Sequence, residues 1–270
     1  MGLLLAIVVW GITLAMSIPF VTQTWWMPEP ITALGREIDG AFMFTLVFTG
    51  VIFLLAQAAL GYAVWRFGRQ SDEPASDSHG NTRLEILWTF AAAAIFVGLA
   101  LYGYTVWAET RFIDHKSMVQ TEDRLVVEVT GQQFVWNMRY TGEDNEFGPT
   151  DISLIDDAAG NPVGVDRSGP GGADDIMVPE MRVPVNKDVE VVLKSKDVLH
   201  NFFVPELRIK LDTVPGLVGK LAFKAEKEGK YEIVCSELCG LGHYKMRSFL
   251  HVVSQEEYDA WIAEQASYVF

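Results

Sequence analysis

The first 107 residues constrain the fold most, because they hold three apolar blocks, each long enough to cross a hydrocarbon core that takes about 20 helical residues. Met1 to Val21 carries no charged side chain, Ala41 to Phe67 carries only Arg66, and Leu84 to Trp107 carries only Glu85. Trp65 and Arg66 close the second block and Trp107 closes the third, the aromatic and cationic residues that a bilayer interface favours. A buried helix of a soluble protein would account for one such block, but not for three with tryptophan at their ends. The chain therefore reads as a transmembrane anchor over 1–107, with helices at about 1–22, 41–67 and 84–107, followed by a separate domain over 108–270. Met1 to Val21 could also be the core of a secretory signal. No Lys or Arg precedes it and no small-x-small site stands before Trp25-Trp26, so it is read as a retained helix.

The short loops set the orientation. Arg66, Arg69 and Arg83 flank or occupy the second loop, whereas residues 22–40 hold only Arg36. The positive-inside rule puts residues 66–83 in the cytoplasm, and everything after Trp107 in the periplasm or its equivalent. That domain is acidic, with 28 Asp and Glu against 17 Lys and Arg over 108–270. Such a surface repels nucleic acid, whose recognition needs basic patches, and suits a cationic partner drawn in by long-range attraction.

From Thr121 the apolar period changes. Leu125–Val129, Val189–Leu193, Leu221–Phe223, Lys230–Val234 and Phe249–Val253 read as short strands between Gly, Pro, Asn and Asp turns, the pattern of a Greek-key sandwich or barrel. Gly131–Tyr140 adds a run with alternating aromatics, as a packed strand would have. Residues 142–179 are rich in Gly, Asp and Pro and read as a solvated surface excursion. Ser254 reads as the N-cap of a short C-terminal helix with an acidic first turn.

The chain's two cysteines stand together in Cys235-Ser-Glu-Leu-Cys239-Gly-Leu-Gly-His243-Tyr-Lys-Met246, and Asp197-Val-Leu-His200 precedes them. Two cysteines in an exported domain often form a disulfide, and Cys with His often binds zinc. His243 and Met246 following at short spacing favour copper, because thiolate and thioether suit its reduced state, imidazole suits both states, and zinc seldom takes Met. A single blue-copper ion needs one Cys. Two thiolates can bridge a pair of coppers, each with one terminal His, with Met246 on one and a main-chain carbonyl such as that of Glu237 on the other. There is no Cys-x-x-Cys-His, so the chain attaches no haem covalently.

Asp197-Val-Leu-His200, Asp212-Thr-Val-Pro-Gly216 and Cys235 through Met246 resemble the copper A domain of the cytochrome c oxidase subunit II family, in order, over most of residues 85–253. The resemblance implies a cupredoxin-like Greek-key β-barrel behind the membrane anchor. It implies a dinuclear copper A centre on His200, Cys235, Glu237, Cys239, His243 and Met246. The function it implies is uptake of single electrons from a cytochrome c-type donor, soluble or tethered, and relay to haem in subunit I, where oxygen is reduced to water with proton translocation. The implied partners are subunit I, subunit III and membrane lipid, and the implied place is a bacterial inner (plasma) membrane. By the same resemblance, His243 is the copper ligand nearest the route to the haem. The Glu237 carboxylate would face a magnesium or manganese ion at the subunit I boundary. Glu85-Ile-Leu-Trp-Thr89 resembles the start of the family's helix whose Glu stands at the mouth of a proton path, although Ala92 replaces a common proline. Gly131-Gln-Gln-Phe134-Val-Trp136 resembles the run whose first Trp takes up electrons. Here that first position is Phe134 and the second Trp is kept as Trp136. A copper-delivery or storage protein, a copper-free quinol oxidase subunit and the copper A domain of another respiratory reductase are the competing classes. Of these, the quinol subunit lacks the ligands, a delivery or storage protein would need neither the Glu85 motif nor a catalytic partner, and the helical anchor counts against the reductase domain.

Overall fold

The computed structural model describes residues 1–23, 26–68, 80–108 and 123–267. Trp25, Arg69 and most of the loop that set the orientation lie outside the described residues. The chain divides into two compact units, Met1–Met27 with Asp39–Trp107, and Pro28–Ile38 with Ala108–Phe270.

The first unit is built from α1 (Gly2–Val21), α2 (Ala33–Phe67) and α3 (Thr82–Ala108). Their apolar side chains face outward along most of their length, as lipid-facing helices require. Small residues let two of them approach closely: a Cβ on Gly2 would meet the carbonyl of Val64, and one on Gly61 would meet the Trp10 ring. On α3, Tyr102 packs edge-on against Phe44 of α2 with ring centroids 5.2 Å apart.

Helix α2 starts at Ala33, well before the expected position near 41. Its first turns are polar, so an apolar count cannot see them. Thr32 caps the start by accepting the Gly35 N–H at 2.8 Å. At 35 residues the helix is roughly 50 Å long, more than the hydrocarbon core needs. Its first residues, through Ile38, accordingly belong to the second unit. The lead-in to α2 is held there by backbone bonds from Ile31 to Glu206 and from Glu226 to Ile31, and by ion pairs Arg36–Glu226 at 2.7 Å and Lys227–Glu29 at 2.6 Å.

The second unit is a cupredoxin-like β-sandwich. Its strands are β1 (Leu125–Gln132), β2 (Val135–Tyr140), β3 (Ile176–Val178), β4 (Met181–Pro184), β5 (Asp188–Ser195), β6 (His200–Val204), β7 (Ile209–Thr213), β8 (Gly219–Lys224), β9 (Gly229–Cys235) and β10 (Arg247–Val253). One sheet runs β3-β2-β1-β5-β8 and the other β4-β10-β9-β6-β7. Val127, Val129, Met138, Val191, Leu193 and Leu221 of the first sheet meet Phe202, Ile233, Leu250 and Val252 of the second in one core. The helix α4 (Gln255–Ala266) follows β10, and Ser254 caps it by accepting the Glu257 N–H. Its Trp261 packs edge-on against Tyr140.

Residues 142–179 are fastened rather than simply solvated. They include β3, which pairs with β2, and their Asp175 and Val165 are buried. The cause lies in β1, which is buried on both faces: Val127 and Val129 point into the core, while Glu128 and Thr130 point the other way and are also covered. Charged side chains buried there need partners. Arg139 bonds Asp175, the Gly148 carbonyl and Glu128, and Lys194 completes Glu128 at 2.5 Å. Glu190 is likewise held by Arg124 and Lys220 at 2.7 and 2.8 Å.

Candidate metal centre

Three connections meet at one end of the sandwich: the β1–β2 turn at Gln133-Phe134, the β5–β6 loop that leads into His200, and the β9–β10 loop from Ser236 to Met246. The last is shaped by Gly240, whose φ of +139° suits a residue without a side chain, and by a 3-10 turn at His243–Lys245. Cys235 ends β9 and Met246 precedes β10, so the ladder between those strands brings the two ends of the loop together, with the Cys235 N–H bonded to the Met246 carbonyl.

The sequence-predicted ligands converge. Cys235 Sγ lies 3.9 Å from Cys239 Sγ, 4.0 Å from His200 Nδ1 and 3.1 Å from the Glu237 carbonyl oxygen. Cys239 Sγ lies 3.7 Å from His243 Nδ1 and 3.7 Å from Met246 Sδ. Both cysteines are free thiols, far beyond the S–S distance of about 2.05 Å in a disulfide. Ligands bound about 2.0–2.3 Å from a shared metal lie about 3.5 Å apart, close to these spacings. His200, Cys235, Cys239 and Met246 are all buried. The donor set of two thiols, two imidazoles, a thioether and a carbonyl fits copper better than zinc.

Electrostatics point the same way. Burial, then the neighbouring Cys235, pushes the Cys239 thiol up to about 11. Two adjacent thiolates are therefore unfavourable until a cation joins them, and metal binding must displace protons. His200 is fully buried, and its Nε2–H donates to Asp197 Oδ1 at 2.8 Å, which leaves Nδ1 facing the sulfur. Burial would raise the Asp197 carboxyl, but bonds from the Gln133 N–H, His200 and the Val198 N–H outweigh it and hold the group below its usual range. On its other side His200 has almost no room: a Cβ on Gly131 would come within 2.8 Å of the ring.

Two family profiles match this chain, "Cytochrome C oxidase subunit II, transmembrane domain" over residues 21–106 and "Cytochrome C oxidase subunit II, periplasmic domain" over residues 125–253. The "Alternative cytochrome c oxidase subunit 2" of Bradyrhizobium diazoefficiens is 33% identical over 90% of this chain and 85% of its own. The "Cytochrome c oxidase subunit 2" of Cereibacter sphaeroides is 33% identical over 88% of this chain and 78% of its own, and that of Synechocystis is 30% identical over 89% and 76%. The chain belongs to the cytochrome c oxidase subunit II family. It is a membrane protein with a periplasmic domain and a component of an oxidoreductase, and its His-Cys-Cys cluster is consistent with copper.

Within this family frame the remaining sequence candidates fall in different places. Phe134 is half-buried, its ring lying on the metal loop so closely that a Cβ on Gly242 would come within 2.4 Å of it. Trp136 is only 2% exposed, so it is not a surface contact for a docking donor. The turn at 133–134 breaks the strand alternation and sends Trp136 inward, edge-on to His200 at 6.0 Å and to Phe202 at 5.6 Å. Glu237 is half-buried, with one carboxylate oxygen accepting the Leu238 N–H. Glu85 stands in the first turn of α3, which is capped by Asn81 accepting the Arg83 and Leu84 N–H groups. The sequence alone gives neither Asp197 nor Gln133 a role. The Asp-x-x-His spacing at 197–200 was the one available signal.

Proposed function

We propose that this subunit takes up single electrons from a cytochrome c-type donor at a dinuclear copper centre and delivers them to haem in subunit I of a terminal oxidase. Oxygen is reduced to water there, with proton translocation across a bacterial inner (plasma) membrane. The observation that carries the reading is the convergence of six donor groups, two of them unpaired thiols. Cys235, Cys239, His200 and His243 through Nδ1, Met246 through Sδ and Glu237 through its carbonyl would hold the copper pair. A bound copper pair supplies one-electron chemistry with the charge change shared over two ions.

The chain's own part is to hold the ligands still and keep water away. Burial of Cys235, Cys239, His200 and Met246 serves the second task, and strand ends on both sides of the loop serve the first. Phe134, half-buried against the loop, covers the centre where the donor would dock. The Glu237 carboxylate is suited to a magnesium or manganese ion at the boundary with subunit I, since hard cations prefer oxygen. Subunits I and III and the lipid around the helices are the partners this assembly requires.

Electron paramagnetic resonance on the intact complex tests the centre. One unpaired electron shared over two copper nuclei is expected, and a four-line single-copper spectrum in fully loaded protein would overturn it. Glu85 is assigned to a proton entrance. Glu85→Gln should then slow turnover while copper content and haem reduction by the donor stay normal, and unchanged turnover at every pH would leave Glu85 as a helix-start carboxylate.

A further inference from the structure

Asp197 and Gln133 join three chain segments that the ligands themselves do not. Asp197 Oδ1 accepts His200 Nε2–H at 2.8 Å and the Val198 N–H at 2.7 Å, while Oδ2 accepts the Gln133 N–H at 2.7 Å. The Gln133 side chain in turn donates to the Cys239 carbonyl. A closed path thus runs from His200 through Asp197 and Gln133 to Cys239, across separations of 64 and 106 residues. The ladder closes the other side, where the Ser236 N–H bonds the Asn201 carbonyl.

We propose that Asp197 and Gln133 act together as positioning residues for the copper ligands, a hydrogen-bonded girdle that fixes the His200 tautomer and ties the His200 loop to the Cys239 loop. The proposal rests on the reading of this cluster as a copper site. Asp197 suits the task because every group facing it is a donor. A carboxylate accepts on both sides, so it satisfies His200 and Gln133 at once. An amide cannot: Asn at this position has one oxygen and one NH2, and whichever side receives the NH2 sets a donor against a donor. With the Nε2–H no longer anchored, the imidazole can turn or change tautomer and withdraw Nδ1 from the sulfurs. Gln133 acts on the other ligand by restraining the peptide that carries Cys239, and its backbone N–H remains for Asp197 even when the side chain is cut.

The experiment uses the full chain in its oxidase complex, loaded with copper, and compares wild type, Asp197→Asn, Gln133→Ala and the double variant. The rate of copper loss to a copper(I) chelator and the copper hyperfine splitting are read in each. Thermal unfolding of the metal-free forms controls for folding. Outer-shell partners are worth about 10–100-fold in metal affinity. Asp197→Asn is expected to shed copper at least about tenfold faster with altered hyperfine splitting, and Gln133→Ala a few-fold faster. The double variant should fall short of the product of the two, since both cut one path. Wild-type retention and splitting in Asp197→Asn would overturn the proposal, and so would wild-type retention in Gln133→Ala, which also decides the matter if Asp197→Asn does not fold. A wild-type chain that holds no copper pair would overturn the site reading and the girdle together, an outcome distinct from either.

Discussion

At the loop end of the sandwich Cys235, Cys239, His200 and Met246 are buried together, and the charges that bear on Cys239 come from Cys235 and Asp197, both of its own sign. On the outer face of the first sheet Glu128, Asp175 and Glu190 are buried too, but against Arg139, Lys194, Arg124 and Lys220. The chain completes the second cluster by itself and leaves the first short of positive charge. Buried polar groups are tolerated only when paired, so a cluster that no cationic side chain among the described residues neutralises is suited to an external cation. The ion-pair layer fastens residues 142–179 to the sheet, whereas the thiol cluster has the donor chemistry of a copper site.

The contrast predicts opposite consequences of removing one member. Cys239→Ser takes away one of the two sulfurs proposed to hold the copper pair, and the shared-electron copper spectrum should vanish entirely, while the metal-free domain unfolds near the wild-type temperature. Copper analysis beside calorimetry of the metal-free protein checks both halves. A large loss of metal-free stability would mean that the cage is held by more than its metal.

Arg139→Met makes the reverse case. Taking one partner from a buried charge cluster costs about 3–5 kcal/mol, because Asp175 loses its cation and Glu128 keeps only Lys194. A domain of this size should then melt about 10 °C lower. No ligand touches Arg139, so the copper spectrum at moderate temperature should match wild type. Adding Glu128→Gln and Asp175→Asn to Arg139→Met should recover part of the loss, since the stranded charges go with their partner. Spectral change in the single variant would show that the two clusters are coupled.

The proposed electron uptake also needs a donor, and the acidic exterior bears on that. Association of a cationic cytochrome with the complex should slow about tenfold or more as salt rises through the screening range near 0.1 M. Stopped-flow reduction of copper measures it. Phe134→Ala should lower the association rate at every salt concentration, because the ring covers the loop, whereas Trp136→Phe, beneath His200, should change the transfer step and leave the salt slope alone. A rate independent of salt would favour a cytochrome tethered in the same complex.

The difference between the two clusters also governs what the sequence could disclose. The cage was legible because its ligands are rare residue types at short spacing: Cys235, Cys239, His243 and Met246 fall within one loop, and their chemistry narrows the metal. The ion-pair layer was not, because Arg and Asp are common and Arg139 meets Asp175 across 36 residues of Gly-rich chain. Gln133 was hidden for the same reason, reaching Asp197 and Cys239 across 64 and 106 residues, and Asp197 showed only in its spacing to His200. The apolar blocks disclose three helices, yet the polar first turns of α2, which Thr32 caps, carry no apolar signal. Strands β3, β4 and β7 are three to five residues long, too short for alternation to declare itself, and β6 was masked by its role as the carrier of His200.

Acidity offers the finest probe of the same contrast. Burial alone would raise the Glu190 carboxyl, but Lys220 and Arg124 outweigh it and hold the group below its ordinary value of 4.5. A carboxylate whose folded value is depressed binds fewer protons folded than unfolded, so its stabilisation is present above the unfolded value and is lost as pH falls through the folded one. Asp175 has the opposite sign, since burial outweighs Arg139 and raises its carboxyl, so its contribution is present at low pH and lost as pH rises through the raised value. Glu190→Gln should therefore remove part of the acid-side loss of stability below about pH 4.5, visible as a shallower fall of melting temperature with pH in the metal-free protein, together with a lower plateau near neutrality. The two ion pairs it breaks involve Lys220, which is 55% exposed, and Arg124, which is 31% exposed, so solvent screening keeps the effect smaller than that of Arg139. An acid limb identical to wild type would mean that Glu190 gains nothing from its cations over the unfolded chain, and would overturn its assignment to the acid-side loss.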